Sequence, residues 1–264
     1  MRTVTATRYV TPLREGGSLP AVIEADDDGL YVLKFRGAGQ GTKALTAELI
    51  AGEIGRTLEL PVPEIVFVAL DTDLARTEPD PEIQDLIRAS GGINLGLDYL
   101  SGSLAFDPLA DATDADLASR IVWFDALVTN LDRTARNTNM LVWHRKLWLI
   151  DHGAALFFHH SGLGDPAAPT RAFPLIREHV LLSAASRLAE VDAALAARLT
   201  RAELERIVGL VPDDWLVDGS RVASPDEPHT PAARRAAYVD YFLRRLPEPR
   251  AFVTEALGAR HAHV

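Results

Sequence analysis

The chain has 264 residues, 47% of them hydrophobic, a formal charge of −10 and no cysteine. That length and apolar share suffice for one large or two small packed domains. The acidic balance argues against a nucleic-acid or anionic-membrane surface, which needs clustered Lys and Arg, and the missing cysteines exclude disulfides and thiolate chemistry. Met1–Thr7 lacks the apolar stretch of an export signal, and no run approaches the ~18 apolar residues of a membrane span. The expectation is a soluble cytoplasmic protein.

In chain order, residues 4–35 read as short strands at Val4–Val10, Ala21–Glu24 and Leu30–Phe35. They are separated by the turn-rich Thr11–Pro20, which includes Gly16-Gly17-Ser18, and by Asp26-Asp27-Asp28-Gly29. Lys34 interrupts an apolar strand, where an unpaired ammonium is costly to bury, so it faces either solvent or an anion. The glycine-rich Arg36–Lys43 opens a helix predicted to about Leu58, with Leu45, Leu49 and Ile54 on its apolar stripe. That opening serves either as a connector or as a phosphate cradle at the helix N-terminus. Glu48 and Glu53 lie about 140° apart around this helix, so only one can face the lysine.

Leu60-Pro61-Val62-Pro63 stops the helix. Glu64–Leu70 is the clearest strand, a short helix follows over Pro81–Ser90, and Gly91–Ser103 alternates like a strand before turning into a loop. Thr113 or Asp114 caps a helix to about Thr129 with Leu117, Ile121, Phe124 and Val128 on one face. Past residue 153, Ala154–His160 is apolar and then basic. Read as a strand, it points His159 and His160 to opposite sides, which disfavours a shared metal. Ser161–Phe173 is Gly/Pro-rich and is expected to be a mobile loop. The remainder reads as helix: Thr200 to Val211 behind a Thr200/Glu203 capping box, Thr230-Pro231 to Leu246, and Pro249 to Ala259. Arg234-Arg235 and Arg244-Arg245 read as solvated helix faces.

The helix that ends near Thr129 feeds Asn130-Leu131-Asp132-Arg133-Thr134-Ala135-Arg136-Asn137, and Met140–Trp143 and Leu147–Ile150 then form a tight hairpin around His144-Arg145-Lys146. The second strand delivers Asp151-His152-Gly153. Asp132, Asn137 and Asp151 thus gather near one hairpin mouth. Phosphoryl transfer from a nucleotide needs such a set: a carboxylate that orients the acceptor hydroxyl, and an amide oxygen with a second carboxylate for magnesium. Asp-x-x-x-x-Asn is the kinase catalytic-loop spacing, and Asp151-His152-Gly153 stands where kinases carry Asp-Phe-Gly. Two surface Asx turns are the plainer alternative.

The motifs Asn130-Leu131-Asp132-Arg133 through Asn137 and Leu149-Ile150-Asp151-His152-Gly153 resemble the HipA-like kinases and, further off, the phosphoinositide kinases. The chain departs from them at Thr134, where those families usually carry His, and at His152, where lipid kinases carry Phe. The resemblance implies an α+β, two-lobed protein-kinase-like fold. Its N-lobe, residues 1–97, would be an antiparallel sheet with one helix, and its C-lobe, residues 98–264, would be mainly helical. It implies ATP and Mg2+ as cofactors, Lys34 on the α/β-phosphates, Glu48 orienting Lys34, Asp132 as base, and Asn137 with Asp151 as metal ligands. It further implies Gly16-Gly17-Ser18 over the phosphates, with the Arg36–Lys43 loop as a second candidate, and Asp98, Tyr99 and Leu100 as the adenine-binding hinge. Arg133 or Arg136 would either add charge near the γ-phosphate or be salt-bridged at the surface.

The resemblance implies a hydroxyl acceptor, on a protein Ser/Thr by the first likeness and on a small molecule by the second. A nucleotide-binding pseudokinase is a rival reading. A metal-dependent hydrolase built from Asp132, Asp151, His152 and His159 is a more distant one.

Overall fold

The structure, a computed structural model, describes residues 1–13, 19–39, 41–161, 163–217 and 228–263. The chain is a mixed α and β fold. Five strands, β1 (Thr3–Pro12), β2 (Ala21–Ala25), β3 (Leu30–Lys34), β4 (Ile65–Leu70) and β5 (Gly92–Asp98), close into a barrel in the order β1-β2-β3-β5-β4. The expected all-antiparallel sheet is corrected at one seam, where β1 runs parallel to β4, Thr3–Thr5 opposite Phe67–Ala69. Two irregularities in β1, at Ala6/Arg8 and Tyr9/Thr11, let its first half serve β4 and its second half serve β2. Such bulges bend a strand enough to join two neighbours, and closure removes the exposed edges of an open sheet.

Alternation along the strands sends Val4, Ala6, Ile23, Leu33, Val66 and Val68 into a core capped by Ile83 and Ile87 of α2 (Pro81–Ala89). The short helix expected from Pro81 is present, capped by Asp80 with Pro81 at its first position.

Helix α1 (Gly41–Thr57) sits outside the barrel and belongs to a larger core with α3 (Ala115–Leu127), the hairpin β7 (Met140–Trp143)–β8 (Lys146–Leu149) and the C-terminal helices. Strand β6 (Leu104–Ala105) pairs with β7. Two glycines let α1 lie against the segment entering β4: a Cβ on Gly52 would stand 2.5 Å from Ile65 Cδ1, and one on Gly55 3.0 Å from Val62 Cγ2. Close approach at these two turns fixes the axial position of Glu48 between them and the helix start.

The remaining α-helices among the described residues are α4 (Phe158–Ser161), α5 (Leu188–Arg198), α6 (Arg201–Gly209), α7 (Asp213–Leu216), α8 (Pro231–Arg245) and α9 (Ala251–His263). Thr200 and Thr230 cap α6 and α8 as predicted, whereas α9 starts two residues after Pro249 and runs to His263. In α7, Trp215 reaches back to the barrel, edge-on to Phe67 at 5.9 Å and donating to the Ile93 carbonyl at 3.3 Å. Among the described residues no helix is long and apolar enough to cross a membrane.

Two arginines expected on solvated faces are buried. Arg245 is 3% exposed, and its guanidinium donates to the carbonyls of Ala126, Leu127, Pro169 and Arg171 while stacking 4.8 Å over Phe252. The first two carbonyls belong to the last turn of α3, whose outward C=O groups have no helical partner, so Arg245 caps the helix that leads into Asn130–Asn137. Arg234 is likewise buried and donates to the Pro228 carbonyl. The expected mobile loop 161–173 carries anchors of its own, with Arg171 on Asp165 at 2.7 Å and Arg244 on the Pro166 carbonyl.

The histidine pair is also corrected. His159 and His160 stand on the short helix α4, so their Nε2 atoms approach to 3.2 Å instead of diverging. Among the described residues no group of three or more His, Cys, Asp or Glu is placed to hold a metal. His159 is buried, with Nδ1 against Tyr238 Oη at 2.9 Å. Burial, then His160 and Lys43, hold its pKa well below 6.5.

A neutral imidazole in the folded state and a normal one in the unfolded chain give stability that is complete above the unfolded pKa of ~6.5 and is lost as pH falls below it. His159→Asn keeps a polar atom for Tyr238 and removes the titration. Melting temperature is therefore expected to drop less in this variant than in wild type between pH 7.5 and 5. Parallel curves in differential scanning calorimetry would contradict the assignment.

Candidate active site

Lys34 stands at the end of β3 with 12% of its side chain exposed. Its Nζ lies 2.7 Å from Asp151 Oδ1, across 117 positions of sequence, and 3.4 Å from Glu48 Oε2. Glu48 is 1% exposed on α1, and its Oε1 accepts from the His152 backbone N–H at 3.0 Å and faces His152 Nδ1 at 3.3 Å. Of the two glutamates weighed in the sequence, Glu48 faces the lysine. Glu53 pairs instead with Arg56 at 3.4 Å and Arg206 at 3.6 Å.

Each buried charge here is held by its partners. Burial alone would lower the Lys34 pKa, but Glu48 and Asp151 outweigh it and push the ammonium up to about 12. Burial alone would raise that of Glu48, but Lys34 and the bonds from His152 bring the carboxyl down to about 2. An isolated ion in such a place would neutralise, whereas one beside opposite charge stays charged.

Asp151 reaches Lys34 from a left-handed backbone, φ 54°, two residues past the end of β8. Asp and Asn are the non-glycine residues most at ease in that region. The hairpin that carries it closes with His144 and Arg145 at φ 47° and 62°, a tight two-residue turn, so Lys146 opens β8 instead of completing the turn. Gly153 follows, and a Cβ there would meet Asp151 Oδ1 and Glu48 Oε2 at an ordinary 3.6 Å.

Asp132 and Asn137 form a second group. Asn137 Nδ2 donates to Asp132 Oδ2 at 2.9 Å, and Asn139 Nδ2 donates to the same oxygen at 3.2 Å and to the Asp132 carbonyl at 2.9 Å. Thr134, in the place where the resembled families carry His, closes the loop: its N–H donates to the Asn137 carbonyl at 2.9 Å. Asn139, which the sequence reading passed over, links the two groups. Its side chain holds Asp132, and its carbonyl accepts from the Ile150 N–H at 3.0 Å, one residue before Asp151.

Beneath the loop lies a buried network that sequence reasoning also missed. Asp125, fully buried in α3, accepts from Arg133 Nε at 2.6 Å, His179 Nε2 at 2.9 Å and Asn130 Nδ2 at 2.9 Å. Burial alone would raise its pKa, but Arg133 and His179 lower it strongly. Arg133 is 1% exposed, which corrects the expectation that it meets a phosphate or sits in a surface ion pair. Arg136 is exposed. The available signal was Asp125 itself, a charged residue within Trp123-Phe124-Asp125-Ala126-Leu127, where burial demands a partner.

The remaining candidates divide. At the expected hinge, the Asp98 and Tyr99 amides donate to the Glu64 and Leu30 carbonyls at 2.9 and 3.0 Å, and Leu100 is buried. Gly16-Gly17-Ser18 lies outside the described residues. In the second glycine loop, the Arg36 and Gly37 amides are taken by Asn94 Oδ1 and Ser90 Oγ, which ties the loop to the α2–β5 corner. Lys43 donates to the His159 carbonyl at 3.2 Å.

A basic strand residue, a helix glutamate, an Asp/Asn loop and a second Asp thus meet around one hairpin, and the profile of the HipA-like kinases matches residues 7–237. The chain belongs to the HipA-like kinase family. Among solved structures, this HipA-like chain is similar to a proinflammatory kinase of Helicobacter pylori, CtkA, with a TM-score of 0.54 at 12% identity over 99% of either chain. At that identity the likeness speaks for the fold alone. No curated protein matches this HipA-like chain by sequence. Family and fold together support a phosphotransferase.

Proposed function

We propose that the chain transfers the γ-phosphate of ATP to a hydroxyl, on a Ser or Thr of a protein. The observation that carries this reading is the ion-pair set Lys34–Glu48–Asp151, assembled from β3, α1 and the second residue after β8. A lysine held charged between two carboxylates is a ready partner for the α/β-phosphates, and its shorter contact, Asp151, is the one nucleotide binding would loosen. Asp132, with one oxygen held by Asn137 and Asn139, keeps its other oxygen for the acceptor hydroxyl.

The donor set suits a hard cation. Asp151 offers a carboxylate that is 44% exposed, and Asn137, whose Nδ2 is spent on Asp132, presents Oδ1. Few protein ligands with oxygen donors fit Mg2+, which keeps waters and takes phosphate oxygens. When bound it would neutralise charge on the transferring phosphate.

In this reading the barrel side, residues 1–97, and the helical side, 98–264, act as two lobes, with the base against Asp98–Leu100. The amides of Asp98 and Tyr99 are spent on strand pairing, so base recognition falls to the Leu100 amide. The acidic, cysteine-free composition suits work in a reducing cytosol.

The first test is thermal. ATP with Mg2+ at about 100 times its dissociation constant should stabilise wild type by ~2.7 kcal/mol, several degrees in melting temperature. Lys34→Met should lose most of that response. Absence of any ATP-dependent shift in wild type, together with no transfer of label to a mixed Ser/Thr acceptor, would overturn the proposal.

A further inference from the structure

His152 departs from the lipid kinases resembled by the sequence, which carry Phe at this position, and the structure gives its imidazole a task that a phenyl ring cannot perform. The residue is completely buried, its ring edge-on to Phe124 of α3 at 5.7 Å. That is an aromatic residue's packing place. Yet Nδ1 stands 3.3 Å from Glu48 Oε1, the same oxygen that takes the His152 N–H.

Two donors on one carboxylate oxygen fix the plane of the carboxylate, so the other oxygen, Oε2, falls toward Lys34 at 3.4 Å. With Glu48 ionised, a lone pair on Nδ1 would face negative charge, so Nδ1 carries the hydrogen. That choice leaves Nε2 as a bare acceptor against apolar packing, and among the described residues it has no hydrogen-bond partner. A buried nitrogen left without a partner has a cost, which the bond made by its opposite nitrogen offsets.

The geometry points to His152 as a positioning residue that, through Nδ1–H, holds Glu48 in the one rotamer that serves Lys34 and so fastens α1 to the segment bearing Asp151. The consequence is a lysine set in place before nucleotide arrives. In a kinase whose second motif offers only a backbone N–H, the helix glutamate keeps one bond fewer to that segment. Here the side chain and backbone of one residue grip it together. The inference rests on the proposed nucleotide site for its functional meaning but not for its geometry.

Two measurements test it. In wild-type protein with 15N-labelled histidine, NMR should report His152 as the Nδ1–H tautomer, and an Nε2–H tautomer would overturn the inference. In kinetics, His152→Phe keeps the packing and removes the donor, whereas His152→Asn returns an N–H at the place of Nδ1. His152→Phe should raise the ATP KM by about tenfold or more, the scale of a lost bond to a charged group, with the acceptor KM unchanged. His152→Asn should recover most of that loss. Equal impairment in both variants, or none in either, would show that the ring only fills space. Should wild type take no nucleotide at all, the proposed function falls, and the tautomer still decides the part played by His152.

Discussion

Asp151→Asn is expected to lower phosphate transfer by about two to three orders of magnitude, the range for removing one preorganised electrostatic contact, while leaving the fold almost untouched. Three features separate the two effects. The side chain is 44% exposed, so no buried cavity opens. The backbone there is left-handed, φ 54°, and asparagine tolerates that region, so the turn out of β8 survives. Lys34 keeps Glu48 as a counter-charge. What disappears is the carboxylate charge offered to magnesium and the tightest contact of the lysine.

The loss should therefore reside in kcat and in the Mg2+ concentration needed for turnover, with melting temperature within roughly 3 °C of wild type for a chain of this size. Asp151→Ala is a poorer test because alanine resists the left-handed turn and mixes the two effects. Transfer of labelled phosphate at wild-type rates by Asp151→Asn would remove this residue from the active site.

How much of this was legible in the sequence depends on the range of the interaction. Local signals carried well: Thr200 and Thr230 cap the helices they were expected to start, and Asp114 does so of the two candidates Thr113 and Asp114, because a cap is a contact between residues two or three apart. Helical phase said that only one of Glu48 and Glu53 can face Lys34, the family resemblance picked Glu48, and Glu48 is the one that does. Closure of the barrel by a parallel β1–β4 pair was not legible, since it depends on bulges in β1 that no residue pattern announces.

Buried polar groups were the other failure. Arg133, Arg234 and Arg245 look like surface arginines because the groups that receive them fall outside helical spacing, eight and six positions away for the first two and 76 for the bond from Arg245 to Pro169. Alternation failed for His159 and His160 because four residues of helix replaced the assumed strand. Asn139 and His179 had no local signature at all, since one acts through Asp132 and the other through Asp125 across 54 positions.

The largest loss of stability is expected from Asp125→Ala. Among the described residues Asp125 is the sole carboxylate that Arg133 and His179 share, and all three side chains are buried. The Leu181 N–H donates to His179 Nδ1 at 3.0 Å, so the hydrogen of a neutral ring sits on Nε2 and points at Asp125. Removing the carboxylate strands a buried guanidinium and orphans two further donors, Asn130 Nδ2 and His179 Nε2. Breaking a buried ion pair from one side costs about 3–5 kcal/mol, which should shift the urea midpoint by roughly 1–2 M at an m-value of ~3 kcal/mol/M for a chain of this size.

The effect should also reach the active site, because Asn130, held by Asp125, accepts the Asp132 N–H at 3.2 Å. A folded fraction of Asp125→Ala at low temperature should therefore bind nucleotide and transfer phosphate poorly. A double variant separates charge from shape. Asp125→Asn combined with Arg133→Met removes both ions at nearly constant volume, and it should be more stable than Asp125→Asn alone because the stranded cation has gone. If the double variant is instead the sum of its single changes, the pair is uncoupled, and the buried network would not be what holds Asp132 in place.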